Sequence, residues 1–232
     1  FDLGGHSLVA MQVVSRVGRS FQVQLPLRKL FESPTVAGLA ERIEDLRRKG
    51  QHLQILPIVS VSREEDLPVS FAQQRLWFLN QLEPGSSVYN IPGAHRLSGP
   101  LDIPALERSL NEIMGRHEVL RTTFSVAQGQ PVQRISRSLN LALSSIDLSQ
   151  LSETEREAAV KRHANEEARR PFDLERDPLM RGVLLHLGSE DHVLLLTLHH
   201  IAADGWSMGV LFQELSVLYD AFAHDKPSPL AD

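Results

Sequence analysis

Towards one end of the chain His199 and His200 stand side by side, followed by Ile201-Ala202-Ala203-Asp204-Gly205. Two imidazoles and a carboxylate in one short stretch can take, give or steer protons near neutral pH. The apolar run Val193-Leu194-Leu195-Leu196-Thr197-Leu198 precedes them and reads as a buried strand. Adjacent strand residues point to opposite faces, so the two histidines cannot both enter one cleft. One is expected to face the core and be satisfied by hydrogen bonds, the other to be free for chemistry. Asp204 can accept from a histidine or pair with an arginine, and Gly205 allows a tight turn with close backbone approach. A zinc pair is not indicated, because no third ligand stands at metal spacing and the helical His-Glu-x-x-His pattern is absent. On spacing alone the same residues suit a core hydrogen-bonding network equally well.

A second constellation opens the chain, Phe1-Asp2-Leu3-Gly4-Gly5-His6-Ser7-Leu8. Ser7 stands where a helix begins, and the free N–H groups and dipole of a helix start favour an anion such as a phosphodiester. A plain N-cap after a glycine turn uses the same residues.

The elements around these sites are legible from periodicity. Ser7 precedes a helix with Val9, Val13 and Val17 on its apolar face, and Pro26 opens a short helical turn through Leu30 and Phe31. Thr35 caps a helix carrying Leu39, Ile43 and Leu46 and closed by Arg47-Arg48-Lys49-Gly50. Residues 51–66 read as a linker running into a short strand around Ile55–Val61. Beyond it, Ser70 and Gln73 form a capping box for a helix with Leu76 and Trp77. Val88–Leu97 reads as a strand interrupted by Pro92-Gly93, and Asp102-Ile103-Pro104 starts a helix with Leu106, Leu110 and Ile113 on one face. Thr122–Ser125 and Val132–Ile135 flank Gln128-Gly129 as a hairpin. Leu139–Ile146 is a further strand, Ser152 with Glu155 caps a polar helix to about Arg170, and Gly182–Leu187 pairs with His192–His199. Ser207 is expected to cap a last helix through Leu211, Leu215 and Phe222. The fold class that follows is α+β, preceded by a small all-α piece.

Composition narrows the chemistry. At 232 residues and 42% hydrophobic content the chain can bury an ordinary core, and a net charge of −5 gives no general attraction to nucleic acid. No run of about 18 apolar residues and no secretory signal is seen, so neither a membrane nor export is expected, and the cytoplasm is the expected location. There is no cysteine. Thioester chemistry would therefore need a thiol brought from outside the polypeptide.

Three segments together carry a resemblance. Leu198-His199-His200-Ile201-Ala202-Ala203-Asp204-Gly205-Trp206-Ser207 resembles the active-site signature of the condensation domains of nonribosomal peptide synthetases. Ser70–Leu79 resembles the first motif of that family and Arg116–Phe124 the second, in the family's order and about its spacing. Trp206-Ser207 has the order typical of condensation rather than epimerization domains, and both histidines are kept, unlike in heterocyclization domains. The opening string resembles the attachment site of a peptidyl carrier domain.

The resemblance implies a chloramphenicol acetyltransferase-like lobe, a mixed sheet with flanking helices, preceded by an incomplete carrier helical bundle. The implied layout is a partial carrier at 1–50, a linker at 51–66 and the N-terminal lobe of a condensation domain at 67–232, without the second lobe. Ser7 would carry 4′-phosphopantetheine, put there by a phosphopantetheinyl transferase and charged through adjacent adenylation domains. The condensation domain would join a carrier-bound aminoacyl or peptidyl thioester to an amino acid on a downstream peptidyl carrier domain. His200 matches the family's catalytic position, with His199 beside it. Asp204 matches an architectural residue expected in a buried pair with Arg116, or failing that Arg121, and Gly205 would keep the loop tight. Gly-Gly-His-Ser, rather than Gly-Gly-Asp-Ser, implies a donor of L configuration. With one lobe missing, the chain is expected not to condense by itself. Two other readings are a non-catalytic carrier and docking module, and a superfamily acyltransferase acting on soluble substrates.

Overall fold

This computed structural model describes residues 7–48 and 59–231. The chain divides into two units, Phe1–Val61 and Ser62–Asp232, with the division inside the span expected to be a linker.

The first unit holds three helices, α1 (Ser7–Phe21), α2 (Leu27–Glu32) and α3 (Val36–Arg48). Pro26 stands immediately before α2, where a fixed φ and a missing N–H cost nothing. Among the described residues its buried apolar side chains are few, namely Ala10, Val23, Leu25 and Ile43. Most of the strand expected around Ile55–Val61, and residues Phe1–His6 of the opening string, lie outside the described residues. The described end of that strand, Val59–Val61, is not extended into a sheet.

The second unit runs β1 (Leu67–Pro68), α4 (Phe71–Leu82), β2 (Asn90–Ser98), α5 (Ile103–Arg116), a 3₁₀ turn (Glu118–Arg121), β3 (Thr122–Ala127), β4 (Gln130–Ile135), β5 (Ser144–Asp147), α6 (Glu153–Arg169), β6 (Met180–Gly188), β7 (Asp191–His199) and α7 (Gly205–Phe222). Four strands form a mixed sheet in the order β2-β7-β6-β5, with β5 and β6 parallel and the other pairs antiparallel. β1, β4 and β3 form a smaller sheet. The β3–β4 hairpin turns through Gln128 and Gly129, both at positive φ, as a two-residue hairpin loop requires.

β6 and β7 are apolar on both faces because both faces are covered. Leu184, Leu194, Leu196 and Leu198 pack with Leu110, Ile113 and Met114 of α5 and Leu211, Leu215 and Leu218 of α7. Leu185, Leu187, Val193 and Leu195 pack with Ala159 of α6. This makes continuous apolar runs of the two strands that lead into the histidines. Pro92 does not interrupt β2, which pairs with β7 along its whole length from Asn90↔His199 to Ser98↔Asp191. β2 is an edge strand, where a residue without an N–H is tolerated. The strand expected from Leu139 begins only at Ser144. Before it, Leu141 is held by the side chain of Asn111, which accepts from its N–H at 2.8 Å and donates to its C=O at 3.1 Å.

Candidate functional site

The end of β7 separates the two histidines. His199 ends β7 and is 2% exposed, while His200, the next residue, is exposed. The His199 ring meets the edge of Phe172, with centroids 5.7 Å apart at 74°, and its Nδ1 accepts the N–H of Ile201 at 3.1 Å. Its carbonyl accepts from Ala202 N–H at 2.9 Å, so the turn closes over its own buried imidazole. Burial, then the charges of His200 and Arg181, push the His199 pKa down to about 4. His199 is thus a neutral ring with Nδ1 as acceptor and its proton on Nε2. The backbone N–H of His200 donates to Tyr89 C=O at 2.8 Å, which pins the main chain while the ring faces outward.

Asp204 does not sit in a buried arginine pair. It is exposed and is the N-cap of α7: its Oδ1 accepts from Ser207 N–H at 2.8 Å and from Ser207 Oγ–H at 2.7 Å. Those two bonds, with lesser help from Trp206 N–H and the nearby His200 charge, hold its carboxyl below the usual carboxylate range. Arg116 instead donates to Ala231 C=O at 2.5 Å, and Arg121 donates to Ser136 C=O and Gly115 C=O. The physical reason is local. A carboxylate directly before a helix meets free N–H groups there, and both guanidiniums have main-chain carbonyls at hand. Ser207 is therefore the third residue of α7 rather than its cap. Gly205 is the first, with no left-handed φ, and a Cβ on it would meet nothing within 4 Å. The close approach expected at Gly205 is not made within this lobe.

The three motif segments meet in one apolar cluster. Phe124 of the second segment, Ile201 of the histidine turn, Phe172, Leu174 and Leu179 form its buried part, and Leu76 and Trp77 of the first segment pack against it. The capping box of Ser70 and Gln73 fixes the start of α4, which carries those two side chains. On the other side of the turn, Ile113, His117, Leu120, Ala203, Trp206 and Val210 help to line a cavity of about 170 Å³. His117 also reaches α7, with Nε2 2.7 Å from Glu214 Oε2.

Two contributors escaped the sequence reading, Phe172 and Arg181. Phe172 lies in a loop with no periodicity to mark it. Arg181 did leave a signal, as the only Lys, Arg, Asp or Glu in the run Leu179–Leu187.

In the first unit Ser7 is the first residue of α1, whose first turn contains no acidic residue. A helix start of that kind fits a phosphodiester, and a chain without cysteine fits an external thiol.

Residues 63–232 match the family model of the condensation domain, and residues 1–43 match that of the phosphopantetheine attachment site. The chain belongs to the condensation domain family, and a phosphopantetheine carrier segment precedes that domain. Tyrocidine synthase 3 of Brevibacillus parabrevis is 44% identical over 219 residues, covering 94% of this chain and 3% of the relative. Malpibaldin synthetase of Mortierella alpina is 44% identical over 232 residues, covering 99% and 4%. The first condensation domain of the calcium-dependent antibiotic synthetase, solved with a substrate analogue, superposes with a TM-score of 0.65 at 27% identity, over 73% of this chain and 40% of that one. The starter condensation domain of rhizomide synthetase RzmA shares the fold, with a TM-score of 0.67 at 24% identity, over 73% and 42%. The chain thus spans a small share of these curated relatives and about two-fifths of the solved chains. No helix among the described residues is long and apolar enough to cross a membrane.

Proposed function

We propose that this chain works within a nonribosomal peptide synthetase, where its condensation lobe helps form the amide bond between a carrier-bound acyl donor and a carrier-bound amine. The observation that carries this reading is the division of labour in the histidine turn, a buried neutral His199 that fixes the turn and an exposed His200 that it presents.

Ser7 is the proposed site of 4′-phosphopantetheine, which when bound supplies the thiol that presents the acyl group as a thioester. His200 orients the attacking amine, or takes its proton, as the C–N bond forms at the acyl carbonyl. His199 is unfit for that task, because it is buried, its pKa is held down to about 4, and its Nδ1 is occupied by Ile201. Asp204 holds the start of α7 beside the turn. The carrier string Gly4-Gly5-His6-Ser7 supports a donor of L configuration. The proposed partners are a phosphopantetheinyl transferase, adjacent adenylation domains and a downstream peptidyl carrier domain, all in the cytoplasm, and the product is a secondary-metabolite peptide.

Mass spectrometry after treatment with a phosphopantetheinyl transferase tests the carrier half. Ser7 should gain the arm and Ser7→Ala should not; an arm on another residue, or none on the wild-type chain, overturns the assignment.

A further inference from the structure

Arg181 lies in β6, in register with Thr197 of β7, and its side chain is only 10% exposed. Its guanidinium is tied to the segment that follows α6. Nη1 donates to Pro171 C=O at 2.9 Å and Nη2 to Arg170 C=O at 2.7 Å. Nε stands 3.5 Å from Glu167 Oε2. The guanidinium carbon also lies 3.8 Å over the centroid of the Phe172 ring, and that ring makes the T-shaped contact with His199. The same segment is held from β2, where Asn90, the register partner of His199, donates Nδ2–H to the carbonyls of Ala168 and Arg170 at 2.8 Å each.

We propose that Arg181 is a positioning residue that acts through Phe172 and His199 to set the turn presenting His200. A guanidinium suits the place because its planar fork can bond two carbonyls while its face lies on an aromatic ring, which an ammonium cannot reproduce. With Phe172 held, the His199 ring keeps its Nδ1 aimed at Ile201 N–H, and that bond fixes the main chain on which His200 stands. Loss of the fork frees Phe172, then the His199 ring, then the turn.

The importance of this relay for catalysis rests on the reading of His200 as the reactive histidine; the relay itself does not. It is tested by amide hydrogen exchange on the whole chain bearing Arg181→Met, and separately Phe172→Leu, which keeps the carbonyl bonds of Arg181 but removes the ring that His199 leans on. In both variants the amides of Ile201 and Ala202 should exchange at least about tenfold faster, the change that about 1.4 kcal/mol of lost local free energy produces. The central β7 amides of Leu194–Leu196 should keep their wild-type protection. Unchanged exchange at Ile201 and Ala202, or an equal loss throughout β6 and β7 in both variants, overturns the proposal by reducing Arg181 to a general stabiliser. In the intact synthetase Arg181→Met should lower kcat with little change in KM for the amine-bearing carrier. Should the local exchange change while His200→Ala keeps full activity, the relay stands and the assignment of His200 falls.

Discussion

Lowering the pH should destabilise the condensation lobe through His199. The folded-state pKa of this ring is held down to about 4 by burial, with help from the charges of His200 and Arg181, against an ordinary value of 6.5. Between these two values the unfolded chain binds a proton at residue 199 and the folded chain does not. Stability therefore falls as pH drops through that window, and this term is flat above and below it. At about 1.4 kcal/mol per pH unit the whole window is worth about 3 kcal/mol, of which about 2 is lost between pH 6.5 and pH 5. Other groups titrate nearby, among them His95 and His192, both held low by burial. The comparison that isolates His199 is with His199→Asn, whose Oδ1 can accept the Ile201 N–H but does not titrate. Denaturant unfolding followed by tryptophan fluorescence reports this unit alone, because Trp77 and Trp206 are the only tryptophans and both lie in it. From about pH 7.5 to about pH 5 the wild type should lose about 2 kcal/mol more than the variant. A stability gap between the two proteins that does not change with pH would mean that His199 is not held neutral in the folded lobe.

Asp204→Ala should cost about 1 kcal/mol, as expected for a lost N-cap rather than for a broken buried ion pair, and Asp204→Asn should recover most of it; equilibrium unfolding measures both. Gly205→Ala should change stability by less than about 0.5 kcal/mol, since the added methyl meets open space. In the intact synthetase the same change should slow condensation if substrate or the rest of the domain uses that space, which a kinetic comparison at matched stability would reveal. Glu214→Gln should weaken the contact with His117 and loosen the junction between α5 and α7, visible as a drop in melting temperature.

The sequence made the elements plain wherever periodicity or a capping rule acted alone. Both capping boxes formed as their spacing required. Alternation called for one histidine inside and one outside, but which is which follows from the end of β7, since both faces of that strand are covered and His200 stands one residue beyond it. What the sequence did not disclose was partnership across the fold. The arginine partner for Asp204 is an implication of the resemblance, and a chain written as a line gives no measure of which donors stand closest. In three dimensions the helix that Asp204 precedes supplies those donors at once. The same blindness hid Phe172, which lies in a loop after α6 and meets His199 only through the tertiary fold. Arg181 could have been suspected, since a lone charge in a strand buried on both faces must be paired. Pro92-Gly93 looks like a break in the sequence because the place of β2 at the sheet edge follows from strand order, which local pattern does not carry.

We propose that His200 serves the forming amide while His199 only holds the turn. Single-turnover transfer from a loaded Ser7 arm to a carrier-bound amine, measured in the intact synthetase, tests it most directly. His200→Ala should slow transfer by at least about a hundredfold, the usual loss when a positioned acid–base group is removed, with loading of Ser7 unchanged. Transfer at the wild-type rate in His200→Ala would mean that His200 has no part in forming the amide.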